Sequence, residues 1–425
     1  MKIAVLGSGI SGNVAAYHLS KHHDVTVFEA KDYIGGHTHT HDVMHQDKSY
    51  KVDTGFIVFN QKTYPNFIEL LDDLGVEKQA SEMSFSVKCE KTGLEYNGTT
   101  LNSLFAQRRN FFRPKFYGMI NDILRFNKSA SLLLLERDES LSLGEYLLRS
   151  KYSPEFINHY IIPMGAAIWS ADPSMMHEFP AHFFIQFFNN HGMLNVNDRP
   201  QWYVIKGGSS SYVNSLTKRF ENNIRLSTPV TKIRRHHDHV EIFTKKYGQE
   251  SFDYVFIATH SNQALNMLDD PTSIESSILG DIQYQENHVV LHTDKSILPK
   301  RKLAWAAWNY HVLKENQDRV ALTYSMNILQ SIKSPVEYCV TLNNTRAIDE
   351  TKIIKNLKYD HPVITSNSVS AQRRHSEING SNRTFYCGAY WRFGFHEDGV
   401  VSALSALKHF EDRLKNEKLY LSRAS

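Results

Sequence analysis

Residues 2–29 constrain the chain more than any other segment. Lys2–Leu6 is a short β-rich run, and Gly7-Ser8-Gly9-Ile10-Ser11-Gly12 follows it at once. A helical pattern then carries Ala15, Ala16 and Leu19, and a second strand, Val25–Phe28, ends at Glu29. Strand, glycine turn, helix and returning strand close in this order only as a parallel βαβ unit. Gly7 permits the tight turn, Gly9 lets backbone approach a pyrophosphate, and Gly12 lets the helix pack close to the strand. The first helical turn, with Ser11, offers unpaired N–H groups and a favourable dipole to phosphate. Glu29 is placed to accept hydrogen bonds from ribose hydroxyls and disfavours a 2′-phosphate. A glycine turn of purely structural use is the rival reading; both strands, the helix and the terminal acid together favour a dinucleotide site.

At 425 residues the chain predicts two or three domains, or one two-lobed body. A formal net charge of +3 gives no reason to expect nucleic acid as a ligand. The three cysteines, Cys89, Cys339 and Cys387, form no CxxC pair, which argues against a disulfide framework and fits a reducing compartment. No apolar run reaches the length of a membrane span, and the start is too weakly apolar for a signal peptide. The chain therefore reads as cytoplasmic.

A second feature is Gly35-Gly36-His37-Thr38-His39-Thr40-His41, with imidazoles at alternate positions. On a strand these share a face and invite a metal reading. Its position argues otherwise. Glu29-Ala30, four residues, then Gly35-Gly36-His37 and Thr40 resembles the second fingerprint of FAD enzymes of the flavin amine oxidase group, which usually ends GGR-x-x-T. The resemblance implies that Gly35, Gly36, His37 and Thr38 surround the cofactor, with His37 in place of the arginine, and that no metal is bound there.

Further along, Asp53–Asn60 reads as a strand whose Gly55 marks a close backbone approach. A largely helical stretch is expected from Tyr64 to about Arg149, with a capping box at Ser142–Glu145. Residues 181–190, AHFFIQFFNN, suit a buried wall. A helix over SYVNSLTKRF precedes strand pairs around NIRLSTPVTKIRR, HVEIFTKK and FDYVFIATH. At the end a strand reaches Cys387-Gly388, a loop runs to Asp398-Gly399, and a helix is expected from Val400, its dipole aimed at the flavin. The fold class is α/β: a Rossmann-like FAD-binding domain with a second, α+β substrate domain. The FAD domain is read as discontinuous (1–60, 203–265 and 376–425), with 61–202 and 266–375 as the substrate domain.

The segments GSGISG (7–12), GGHTHT (35–40), DTGFIVFN (53–60), RPQW (199–202), LHTD (291–294), WNY (308–310) and CGAYWRFGFHEDG (387–399) carry an end-to-end resemblance. The chain is similar to FAD-dependent amine-oxidase-like oxidoreductases and to the flavoprotein-type N-terminal region of plant cyclopropane-fatty-acid synthases. This implies noncovalent FAD, Val230 beside the adenine, and Gly388, Asp398 and Gly399 on the flavin side. It further implies hydride transfer from a substrate carbon to flavin N5 on a lipid acyl chain, and a cyclopropane-fatty-acyl synthase-like partner. No second dinucleotide fingerprint is present, and Cys387 is expected to pack rather than bond to flavin.

Many amine oxidases carry a lysine on a substrate-domain strand, and by eye His292 stands in its place. It is the candidate base, or else a hydrogen-bonded core histidine. Trp305, Trp308 and Tyr310 line the substrate cavity or pack the core. Asp398 is expected to hold the cofactor rather than react, and Glu397 to lie at the surface. Arg108–Tyr117 interleaves basic and aromatic residues, which suits an anionic bilayer, although a loop with its aromatics anchored inward is the favoured reading. Two rivals stand beside the lipid oxidoreductase. A true amine oxidase is one, disfavoured by the missing lysine. A flavin-binding accessory protein that serves a lipid methyltransferase without turnover is the other.

Overall fold

The computed structural model describes residues 1–136, 140–195, 199–315 and 319–424, with side chains to 416. Lys2–Leu6 is the centre of a five-stranded sheet ordered Ile224–Arg225, Asp24–Phe28, Lys2–Leu6, Tyr254–Ile257, Thr384–Tyr386, with every neighbouring pair parallel. The central strands are nearly continuous apolar runs because both faces are covered, as a parallel sheet requires. On one face Ile10–Leu19 packs beneath the long C-terminal helix His396–Ala424. On the other, Ala4, Leu6, Val255 and Ile257 meet Ile233, Val240, Ile242 and Phe252 of the antiparallel meander Val230–Arg235, Val240–Thr244, Gly248–Phe252.

Leu6, Phe28, Ile257 and Tyr386 end in register. Their strands therefore deliver Gly7, Glu29, Ala258 and the Cys387-Gly388 turn to one edge. The carboxyl edge of an open parallel sheet is where such folds bind ligands.

The second body is a seven-stranded sheet ordered Ile353–Pro362, Tyr284–His292, Cys339–Leu342, Leu322–Ser325, Trp308–Val312, Phe85–Cys89, Glu95–Asn97. It is antiparallel except where Trp308–Val312 runs parallel to Phe85–Cys89. A helical layer that includes Pro114–Ser129, Ile162–Trp169 and Ala181–Asn190 packs on it around Phe126, Phe156, Phe184 and Phe188. The α/β expectation with a mixed second domain holds.

Three local expectations change. Residues 78–97 hold strands rather than helix: Lys78–Ser81 and Phe85–Cys89 pair with Trp202–Ile205 and Trp308–Val312, far along the chain, and Glu95–Asn97 folds back on Phe85–Cys89. The 53–60 segment is broken, the first strand ending at Asp53 and the next being Val58–Asn60. The C-terminal helix begins at His396, one turn before Val400. The capping box at Ser142–Glu145 is present, with the Glu145 N–H donating to Ser142 Oγ at 3.3 Å.

Candidate functional site

A cavity of 920 Å³ runs from the carboxyl edge of the parallel sheet into the second body. Gly7, Gly9, Ser11, Glu29, Gly35, Gly36, His37, Val230 and Gly388 all line it. Gly7 has φ +96°, and a Cβ there would stand 2.8 Å from the Ala258 carbonyl oxygen. Gly36, at φ +61°, brings its own turn against the first, since its Cβ would lie 3.1 Å from Gly9 Cα. Two glycine turns thus stack back to back along the wall. The Gly55 expectation also holds, a Cβ there falling 2.0 Å from the His37 carbonyl oxygen.

Glu29 is held from behind. One carboxylate oxygen accepts the Ser8 N–H at 2.8 Å and the Ser8 hydroxyl at 2.6 Å; the other accepts the Lys31 N–H at 2.8 Å. A carboxylate oxygen pair has room for about four hydrogen bonds, so acceptor capacity remains toward the cavity.

The three alternating histidines do not all converge: His39 and His41 lie together, with ring centroids 4.1 Å apart, and His37 stands apart. Gly35 and Gly36 turn the chain before the strand Thr40–His45 begins, which separates His37 from the other two. His39 stacks on Tyr33 at 4.0 Å and bonds the Tyr359 hydroxyl at 3.0 Å, while His41 bonds Thr54. His37 instead joins His260 and His361 on the cavity wall, at ring separations of 6.1 and 5.4 Å. His37 Nε2 and His260 Nδ1 are buried without a hydrogen-bond partner in the protein. Among the described residues, a metal-type grouping occurs only elsewhere, at His236, His239 and Glu241.

Burial drives all three wall imidazoles below their ordinary value, His37 furthest, and His260 and His361 to about 4. Mutual repulsion adds to this, His260 and His361 acting on His37 and His260 on His361. Their folded values lie below the unfolded value near 6.5, so the fold holds them neutral. Stability is then full above that unfolded value and falls as pH drops, levelling near 4 for His260 and His361. Either one alone costs about 3 kcal/mol at the acid end. Cofactor-free protein should show this acid loss in urea denaturation curves. Alanine at both His260 and His361 should lessen it, the remainder coming from other buried imidazoles such as His311 and His396, which burial lowers to about 3.

The cavity fits a dinucleotide diphosphate on two counts. Gly9 presents bare backbone to it, with nothing within 4 Å of where a Cβ would stand. The two unpartnered imidazole nitrogens beside the glycine turns are the polar groups a phosphate satisfies. Replacing His37 with alanine should speed cofactor loss on dilution about tenfold, by analogy with one charge-assisted hydrogen bond. An unchanged off-rate would remove His37 from this role.

Four expected cofactor residues stand off the wall. Gly12 packs the helix on the strand. Gly399 packs the C-terminal helix against Ile10 and Ser11, which a Cβ there would meet at 2.6 and 3.0 Å. Asp398, expected to hold the cofactor, accepts the Phe395 N–H at 2.9 Å in the first turn of the helix, which starts a turn earlier than expected. Thr38 lies behind the wall, its hydroxyl 2.6 Å from Tyr212 Oη and 3.1 Å from His396 Nε2. Glu397, expected at the surface, is buried and caps the helix Pro65–Asp73 through the Asn66 and Phe67 N–H groups.

His292 is also corrected. It is fully buried off the cavity, with Nε2 2.7 Å from Thr341 Oγ1 and Nδ1 accepting the Asp294 N–H at 3.0 Å. Val289 and Tyr284 of the same strand line the cavity instead, and a register shift at Leu291/His292 ends the regular alternation. Of the expected aromatics Trp308 lines the cavity. Trp305 donates to the Pro299 carbonyl, and Tyr310 packs in the core. Cys387 is buried, which pushes its thiol up to about 12.

Sequence reasoning missed His191. It lines the half of the cavity formed by Phe85, Met164, Ile168, Phe187 and Trp202, stacked on Phe187 at 3.8 Å. Its Nδ1 donates to the Phe187 carbonyl at 3.0 Å, which leaves the lone pair on Nε2. No sequence signal marks it within the aromatic run that precedes it.

Residues 10–316 match the family model "Flavin containing amine oxidoreductase". Protoporphyrinogen oxidase 2 of Arabidopsis thaliana is 30% identical over 220 residues, which cover 49% of this chain and 41% of that protein. The match thus spans about two fifths of the curated relative. Among solved structures, cyclohexylamine oxidase from Brevibacterium oxydans IH-35A superposes with a TM-score of 0.67 at 15% identity, over 97% of this chain and 99% of that one. The CLA-producing fatty acid isomerase from P. acnes gives 0.68 at 15% identity, over 96% and 98%. At such identities the superpositions show the fold.

Proposed function

The chain belongs to the flavin containing amine oxidoreductases and is an FAD-dependent oxidoreductase, and from that premise we propose that it oxidises a carbon of an apolar, acyl-type chain. When bound, FAD supplies the hydride acceptor, at N5. The observation that carries the substrate class is the far half of the cavity. Phe85, Met164, Ile168, Trp169, Phe187, Met193, Trp202 and Trp308 line it. The carboxylates that line the cavity, among the described residues, are Glu29 beside the glycine turn and Asp360 beside His361. An alkylammonium entering the far half would shed its water with no carboxylate to meet it, whereas an acyl chain gains by burial. The fatty acid isomerase of the same fold supports the reading, as a protein whose name states a fatty acid substrate.

The residues of this chain divide the work. Glu29 and the glycine turns bind the nucleotide and diphosphate, with His37 and His260 beside them. The apolar half excludes water and orients the chain. His191, whose Nδ1 donates to the Phe187 carbonyl, is the imidazole that lines that half, and it takes the proton-accepting role in place of His292. Replacing His191 with alanine should lower turnover about a hundredfold with FAD content unchanged, while alanine at His292 should leave turnover intact.

Anaerobic mixing of FAD-loaded protein with a monounsaturated phospholipid and, separately, with an alkylamine tests the substrate class. Loss of the flavin's visible absorbance with the lipid is expected. Loss with the amine alone would instead establish an amine oxidase. Retention with every substrate, together with tight FAD, would favour the accessory reading.

A further inference from the structure

Residues 101–117 turn a mixed aromatic and basic face to solvent. Thr100 caps the turn Leu101–Leu104, Arg108–Phe112 forms a 3-10 turn, and Pro114 opens the helix Pro114–Ser129. Of the aromatics in Arg108–Tyr117, Phe116 points inward as the sequence reading favoured and Phe111 stacks on the buried Phe105 at 4.1 Å, yet much of the segment's apolar surface stays in solvent. Phe112 is 88% exposed, Leu101 78%, and Phe111 and Tyr117 46% each. Scattered exposed apolar residues are ordinary, while four large ones on one short segment are not.

The charges within this segment are of one sign. From Tyr96 to Asn121 the sequence holds Arg108, Arg109, Arg113 and Lys115 and no acidic residue. Arg108 bonds the Phe105 carbonyl and Asn102, and Arg109 bonds the Gly93 carbonyl. Among the described residues only Lys115 of the four meets a carboxylate, Glu155 at 3.2 Å. The helix Pro114–Ser129 packs on Pro154–Phe156, which leads directly into the π-helical turn Ile157–Ile161 and the helix Ile162–Trp169. Tyr160, Met164 and Ile168 of that run line the apolar half of the cavity. The face therefore lies outside the helical layer whose inner residues wall the substrate chamber.

We propose that residues 101–117 dock the protein on an anionic lipid bilayer. Leu101, Phe111, Phe112 and Tyr117 enter the interface, where aromatic rings settle, and Arg108, Arg109, Arg113 and Lys115 meet headgroup phosphates. A docked protein takes its acyl substrate from the surface it sits on. That purpose rests on the acyl-chain reading, but docking itself is measured without turnover.

The test is co-sedimentation of full-length, FAD-loaded protein with phosphatidylcholine vesicles and with vesicles of phosphatidylcholine and phosphatidylglycerol in equal parts. Binding at least tenfold stronger to the anionic vesicles is expected, weakening as salt rises. Phe112→Ser should weaken it about tenfold, and Arg108→Gln with Arg109→Gln about twenty-five-fold, at roughly fivefold for each charge. FAD content, read in the same samples, reports that the variants are folded. Equal partition to both vesicle types, or variants that bind as well as wild type, would overturn the proposal. So would a dimer in sedimentation equilibrium that Phe112→Ser dissolves, since the face would then seat a second copy. Vesicle binding without lipid oxidation would sink the acyl-chain reading alone, and oxidation of dispersed lipid without vesicle binding would sink this one alone.

Discussion

Alanine at Gly9 is expected to leave the empty fold intact and abolish FAD retention, while alanine at Gly12, three residues on, is expected to break the fold itself. Gly9 sits at φ −69°, a conformation any residue adopts, and a Cβ there meets no protein atom within 4 Å. The space it would enter is the cavity, against the backbone that faces the diphosphate. At Gly12 the same methyl would lie 1.9 Å from the Gly7 carbonyl oxygen and 3.1 Å from Ala258 Cβ. These are backbone and a buried strand, so the helix Ile10–Leu19 must leave the sheet, at about 3 kcal/mol or more. Urea denaturation of FAD-free protein and flavin content after gel filtration separate the two effects. Full FAD occupancy in Gly9→Ala would show that the turn does not face the cofactor.

The second large effect is expected at a buried ion pair. Arg235 Nη1 and Nη2 meet Glu275 Oε1 and Oε2 at 2.5 and 2.9 Å, both side chains 1% exposed. The Tyr386 hydroxyl donates to Glu275 at 2.6 Å, and the Thr272 N–H at 2.9 Å. The cluster fastens the meander and the helix Ser273–Gly280 to the strand that ends at Tyr386, two residues before Gly388 on the cavity wall. Replacing Arg235 with methionine strands a buried carboxylate and should cost about 3–5 kcal/mol. Glu275→Leu alone should cost less, because Arg235 keeps Asp270 at 3.1 Å. The double replacement should recover most of the loss, since two apolar side chains leave no buried charge. A double-mutant cycle in urea measures this, and an Arg235→Met variant as stable as wild type would contradict it.

The nucleotide end of the site was legible in the sequence because it is local backbone chemistry. Gly7, Gly9, Gly12 and Glu29 fall within one βαβ unit, and each is explained by contacts inside it or to its neighbouring strand. The rest depended on packing between distant segments. Asp398 changes role because the helix starts at His396 rather than Val400, and Glu397 caps a helix some 330 residues earlier in the chain. Residues 85–89 read as helix until their partner strand, Trp308–Val312, is in place. His292 stands on a strand whose cavity-facing side is set by pairing with Ile353–Pro362 and by an irregularity at Leu291/His292, neither visible in the segment itself. His191 gave no signal, since its tautomer is fixed by the helix that carries it.

The most direct test of the account is the visible spectrum of the freshly purified protein, followed by denaturation and identification of the released cofactor. The account predicts a two-banded flavin spectrum, with one FAD per chain freed into the supernatant, and a lower yield from the His37→Ala variant. A colourless protein that FAD cannot reconstitute would contradict it, because the stacked glycine turns and the unpartnered imidazoles would then hold no diphosphate.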